Sequence, residues 1–215
     1  MPKAIDHDQR RRDIIDVTWK LIVKGGLEAA TMREIAAEAG FANGALKHYF
    51  PGKDDIIKGA YQLSMDRIVE RLTESTKGLT GIEALRAIVS ATMPLDADSR
   101  ESARVLLAFW ERGLSSTDIR DAFQGHLADW RADSIGLIAQ CRQQGLIDTD
   151  ASDDEIVHEM IYLNVGATVL SSVAPEFADR ASIEAMIDGF FERLGVPRAA
   201  GARADDAPEP DHASA

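Results

Sequence analysis

The 215 residues are 45% hydrophobic and 28% charged, which suits a chain with a real core and excludes a disordered polymer, a collagen-like fibre or a miniature disulfide scaffold. The single cysteine, Cys141, excludes an intramolecular disulfide and a cysteine-based zinc site within one chain, and fits a reducing compartment. The formal charge of -12 argues against a polyanion partner only while the chain is taken whole: residues 1–58 hold ten Lys+Arg and nine Asp+Glu, the rest fourteen and twenty-seven, so the N-terminal quarter is +1 and the remainder -13.

Met1 to Asp13 is polar and carries no apolar leader, but it holds the basic run Arg10, Arg11 and Arg12, which suggests a polyanion-facing end. Apolar spacing then predicts a helix over 9–23, with Ile14, Thr18, Leu21 and Ile22 on one face and Gly25-Gly26 as its stop. Thr31-Met32-Arg33-Glu34 reads as a capping box that opens a short helix buried through Ile35, Ala36 and Ala39 and ended by Gly40. A third short helix is expected over 43–50, stopped by Pro51-Gly52, before a long one over 53–73. Two short helices joined by a Gly-containing turn make a helix-turn-helix. Further helices are expected over 81–93, 99–114, 118–144, 153–173 and 182–194, with no strand or internal repeat, so the fold class is all-α. From Val196 onward the chain is rich in Ala, Pro, Gly and Asp and reads as a disordered tail. The longest mostly apolar stretch, Ile161 to Leu170, is about half a bilayer span and contains Asn164, so a cytoplasmic protein without a membrane partner is expected.

In the third short helix Leu46, Tyr49 and Phe50 are spaced to face the core, which leaves Asn43, Ala45, Lys47 and His48 outward. A recognition helix in a major groove needs small residues where backbone and DNA come close, here Gly44 and Ala45, and hydrogen-bonding or cationic groups where base edges and phosphates lie. Lys53 and the amides opening the next helix are placed to meet phosphate. A helical binding protein that offers these helices to a protein partner is the alternative reading.

The segment Thr31-Met-Arg-Glu-Ile-Ala-Ala-Glu-Ala-Gly-Phe-Ala-Asn-Gly-Ala-Leu-Lys-His-Tyr-Phe-Pro-Gly-Lys-Asp-Asp-Ile-Ile57 resembles the DNA-binding signature of TetR-family transcriptional regulators. The resemblance implies a homodimeric, ligand-responsive repressor that binds a palindromic double-stranded DNA operator and is released by a small-molecule effector. It implies a three-helix DNA-binding domain over 1–52, a larger effector-binding and dimerisation domain over 53–195, and a tail over 196–215. Carried over by position, Thr31, Lys47, Tyr49 and Lys53 fall on phosphate contacts, and Arg33, Asn43, Ala45 and His48 on base-reading positions. Two residues depart from the pattern: Ala42 stands where a serine usually caps the recognition helix, passing the cap to Asn43, and Lys47 stands where tyrosine is common. Asn-Gly-Ala-Leu-Lys-His-Tyr-Phe is similar to the choline-responsive, betaine-pathway branch, which implies a choline-like cation among the candidate effectors.

In that architecture the effector pocket lies among the middle helices, with Phe109, Trp110, Phe123, His126, Trp130, Tyr162 and Asn164 as candidates and His158 beside them. Aromatic faces with acidic residues would hold an ammonium by cation–π and Coulomb attraction. Asp148-Thr-Asp-Ala-Ser-Asp-Asp-Glu resembles a calcium loop but carries Asp153 where the sharp turn requires glycine, and reads as acids gathered at a helix N-terminus. The five histidines are scattered with no pair one turn apart, and there is no nucleophile elbow or phosphate-cradling loop. No cofactor, metal or catalysis is expected.

Overall fold

The structure, a computed structural model, describes residues 6–42 and 44–196, and among these it is all helical. The chain runs α1 (His7–Ala29), α2 (Met32–Glu38), a single 3-10 turn (Ala45–His48), α3 (Lys53–Ser75), α4 (Gly81–Thr92), α5 (Ala97–Gly113), α6 (Thr117–Gln143), α7 (Asp153–Val173), a second 3-10 turn (Pro175–Phe177) and α8 (Arg180–Arg193).

Capping chemistry explains where several elements begin. Asp6 accepts from the Gln9 amide at 3.0 Å and starts α1 two residues before the apolar pattern does. Asp96 accepts from the Ser99 amide at 2.7 Å and Asp179 from the Ser182 amide at 2.7 Å, so α5 and α8 each open two residues earlier than their apolar pattern suggests. The Gly25-Gly26 pair does interrupt α1, since Gly26 sits at φ 68°, but one more turn continues to Ala29.

The segment over 43–50 is not the regular helix that apolar spacing predicts. Gly44 precedes the turn without a side-chain cap and Pro51 forbids continuation, so only Ala45–His48 close, and the Phe50 amide still reaches the Leu46 carbonyl at 2.9 Å. Asn43 lies outside the described residues, as does the tail beyond Val196. Val196 itself donates its amide to Phe191 at 3.0 Å and packs against the C-terminal core, so the last element of the fold reaches one residue into the presumed tail.

Two cores are joined by a seam. Ile14, Trp19, Ile22, Ile35, Leu46, Phe50, Ile56 and Ala60 fill the N-terminal one, where Val105 and Ala108 of α5 also enter. Leu85, Val89, Ile138, Ile156, Val157, Ile187, Phe190 and Phe191 fill the C-terminal one. Between them Ile57, Tyr61, Phe109 and Ile119 pack as a third cluster, so α3 and α5 belong to both ends. Gly59 lets α1 and α3 cross closely: a Cβ there would lie 2.7 Å from Ile15. By length and composition α7 could span a bilayer, yet Ile156, Val157, Met160 and Ala167 on it are core.

Candidate functional site

The N-terminal surface is built outward from the buried pair Leu46 and Phe50. With those two fixed, Gly44, Lys47 and His48 are exposed and Ala45 and Tyr49 half-buried at the rim. The Thr31 hydroxyl caps α2 by accepting from the Glu34 amide at 3.1 Å, and the Glu34 carboxylate turns back onto that hydroxyl and also takes Arg33 at 3.1 Å. The Thr31 bond first, then Arg33, holds the Glu34 carboxyl below the usual carboxylate range. Arg33 thus keeps an exposed guanidinium beside the turn with an internal counter-charge.

The basic run at the start of α1 does something the sequence does not announce. Arg11 donates to the Tyr49 carbonyl and lies 4.2 Å over the Phe50 ring, and Arg10 lies 5.5 Å from the Phe41 ring centre and 4.0 Å from Asp13. Tyr49 sits between the His7 ring at 5.3 Å and the Phe41 ring at 5.4 Å. Arg11 thus braces the segment that carries the reading turn, while all three arginines of the run remain exposed to solvent. Lys53 is turned back, with Nζ 3.4 Å from the Leu27 carbonyl.

Deeper in the molecule α3, α4, α5, α6 and α7 enclose a mostly apolar cavity of about 270 Å³. Trp110, Phe123, His126, Trp130 and Asn164 are on its wall. Asn164 is oriented by donating to the Thr92 carbonyl at 2.8 Å. Phe109 stands one layer back, fully buried and stacked at 3.7 Å and 9° on Tyr61, which does line the cavity. Tyr162 is outside it, 71% exposed on the far face of α7 beside His158. Among the described residues, Trp110 Nε1, Trp130 Nε1 and His126 Nδ1 are buried without a hydrogen-bond partner, as is Arg71 Nε elsewhere; folded interiors normally avoid this arrangement, and three of the four atoms belong to this cavity.

The cavity and the reading turn share two helices. Tyr61 and Trp110 are wall residues of α3 and α5. At the start of α3 Asp54 accepts twice from Arg112 of α5, at 2.7 and 3.0 Å, and once from Ser116 at 3.2 Å. Hydrogen bonding to Arg112 is the main cause of the lowered Asp54 pKa.

Comparison with known proteins agrees with this anatomy. Residues 14–60 match the profile of bacterial regulatory proteins of the tetR family, and residues 81–196 match the C-terminal domain of BetI-type transcriptional repressors. The chain belongs to the TetR family. The regulator PksA of Bacillus subtilis (strain 168) is 31% identical over 175 residues, 80% of this chain and 83% of PksA. BetI 1 of Chromohalobacter salexigens is 29% identical over 124 residues, 56% of this chain and 60% of that relative. Among solved structures, a regulator from Saccharomonospora viridis in complex with choline superposes with TM-score 0.78 at 22% identity, covering 86% of this chain and 96% of that one. A Rhodococcus regulator superposes with TM-score 0.76 at 23% identity, covering 86% and 95%. These relatives are transcriptional regulators and not enzymes, and this TetR-family chain is a DNA-binding transcriptional repressor of the same kind.

In this TetR-family protein the sequence pattern missed the α3 wall of the cavity: Tyr61, Met65, Ile68, Val69 and Leu72. The signal was available, since the helical apolar stripe of α3 continues well past the residues that α1 can cover. It also missed Asp129 and Asp133, one turn apart at the rim. Among the described residues no group of three His, Cys, Asp or Glu could hold a metal ion, and Cys141 is fully buried, where desolvation pushes its thiol up and away from the reactive thiolate.

Proposed function

We propose that this TetR-family repressor acts in the cytoplasm as a homodimer on a near-palindromic operator and is released by an organic ammonium of the choline class. The observation that carries the effector reading is the cavity wall. Tyr61, Trp110, Phe123 and Trp130 offer aromatic surface, and Asp129 and Asp133 offer negative charge, with no lysine or arginine in the lining. The choline bound by the Saccharomonospora regulator supports the same class.

The DNA reading rests on the exposed Thr31, Arg33, Lys47 and His48 around a turn held by Leu46 and Phe50, with Gly44 and Ala45 where the backbone must come close. Asn43 completes the reading set. Tyr49 and Lys53 serve phosphate, and for Lys53 this requires release from the Leu27 carbonyl. Two such turns, about 34 to 36 Å apart in a dimer, enter successive major grooves.

For the dimer face the support is an apolar stripe that stands exposed among the described residues. Tyr162 at 71%, Leu170 at 39%, Val173 at 70% and Phe177 at 70% exposure follow helical spacing along α7 into the turn after it, and Gly166 between them leaves room for close approach.

The test is a gel-shift titration of the full-length protein on its own promoter DNA, with and without choline. Choline-dependent release and a higher melting temperature support the reading. Stable operator complexes at saturating choline and at saturating longer-chain trimethylammonium probes, with no thermal shift from any of them, overturn the effector class.

A further inference from the structure

The shape of the cavity narrows the ligand further, and this step rests on the ammonium reading above. About 270 Å³ approaches the lower end of pockets that hold drug-sized molecules, near 300 Å³, so a trimethylammonium head on a short arm leaves a substantial part of it unfilled. The lining is also graded along α6. Phe123 and His126 meet Trp110 at 5.7 Å and Tyr61 at 5.2 Å respectively, an inner end made of rings and aliphatic side chains. Asp129 and Asp133 lie farther along the same helix, both exposed, with Trp130 between them. At a rise of 1.5 Å per residue, His126 and Asp133 are about 10 Å apart along the axis.

Charge decides which end of a ligand goes where. No carboxylate lines the inner end, so an ammonium buried there would lose hydration with only ring faces in return. At the rim it keeps part of its water and meets two carboxylates. These have no ion-pair or hydrogen-bond partner among the described residues, and the intervening Arg131, two residues from each and so on another face of α6, pairs with Asp154. Two like charges one turn apart repel along a helix face, a cost that a bound cation removes.

We infer that the effector is an amphiphilic ammonium, its charged head at the Asp129–Asp133 rim and an extended apolar or aryl body lying inward against Trp110, Phe123 and Tyr61. A small cation seated among the inner rings is the arrangement this excludes.

The test uses the full-length protein and a series of probes: tetramethylammonium, choline, butyl-, hexyl- and octyltrimethylammonium, and neutral 1-octanol, each titrated against the promoter complex and by thermal shift. Affinity should rise about fourfold per methylene while the body still enters the cavity, the fold-change that about 0.8 kcal/mol per buried CH₂ gives. The double variant Asp129→Asn with Asp133→Asn should weaken octyltrimethylammonium by about fivefold per carboxylate, as a screened charge contact predicts, and should not weaken 1-octanol. Choline binding as tightly as the octyl compound overturns the inward body while leaving the ammonium reading intact. Equal losses for ammonium and alcohol in the double variant overturn the rim assignment. Failure of every ammonium to bind overturns both.

Discussion

The two ends of this molecule solve opposite problems. At the N-terminus the side chains proposed to read DNA must stand in solvent and still be held in register: Lys47 and His48 ride on one turn anchored by the fully buried Leu46 within it and Phe50 just after it, and Arg11 braces that segment. In the C-terminal body the working side chains face inward, and five helices contribute to a single cavity. The first arrangement is local in the chain, spanning Thr31 to Lys53, and near neutral; the second runs from Tyr61 to Val165 in the acidic remainder. A reading surface is therefore stabilised from behind, whereas a sensing site is stabilised by everything around it.

The sharpest way to break that contrast is to remove the support of the reading turn alone. Phe50→Ala should cost about 3 to 5 kcal/mol of stability, confined to the N-terminal core. Urea unfolding followed by circular dichroism should then show an early N-terminal phase, with DNA binding lost across it. One cooperative transition would mean that the seam at Ile57, Tyr61 and Phe109 makes the two cores a single unit.

Next in size is the proposed dimer face. Val173→Asp puts a charge into an apolar stripe and should cost 2 kcal/mol or more of association, read as a shift toward monomer in sedimentation, with the melting temperature of the monomer fold little changed.

Arg112→Ala separates the two ends more gently. Both partners of the Asp54–Arg112 pair are about a third exposed, so solvent screening leaves only a small loss of stability. Its specific sign is a smaller effector-induced change in operator affinity, since the pair ties the start of α3 to a helix of the cavity wall. Its pH dependence follows from the lowered Asp54 pKa. The stabilisation is complete above the unfolded carboxylate value near 3.9 and is lost as pH falls through the lower folded value. Stability curves of the parent and Arg112→Ala should therefore stay apart above about pH 4 and converge below it.

The smallest expected effect is Lys47→Ala, which should weaken operator and random DNA alike and reduce the salt slope of binding by about one unit in a gel-shift series. An unchanged slope would remove Lys47 from the phosphate contacts.

How much could be read in advance follows the same division. The helix-turn-helix was legible because capping box, glycine stop, polar outer face and Tyr-Phe-Pro all act within one short segment. Its reading element still came out shorter than expected, since Gly44 supplies no side-chain cap and Pro51 truncates it. The five downstream helices were legible from spacing to within two residues at their starts, the discrepancy being the Asp96 and Asp179 caps. The cavity was harder. Trp110, Phe123, His126, Trp130 and Asn164 could be picked out as large or polar residues on core helices, but spacing alone could not place Phe109 behind Tyr61 or turn Tyr162 outward. Which side of a helix faces a cavity depends on partners distant in the chain.

The interruption in α1 also bears on signalling. Just before it, the Val23 carbonyl accepts from Arg104 of α5 at 2.9 Å; just after it, the Leu27 carbonyl accepts from Lys53, the first residue of α3, at 3.4 Å. One helix is thus moored to a cavity-wall helix on one side of the break and to the threshold of the reading unit on the other. Gly25 and Gly26 are where α1 already leaves helical φ/ψ, so torsion there is the least costly way for the helix to meet a change in the spacing of those moorings. Two glycines thereby give α1 the mechanics of a pivot.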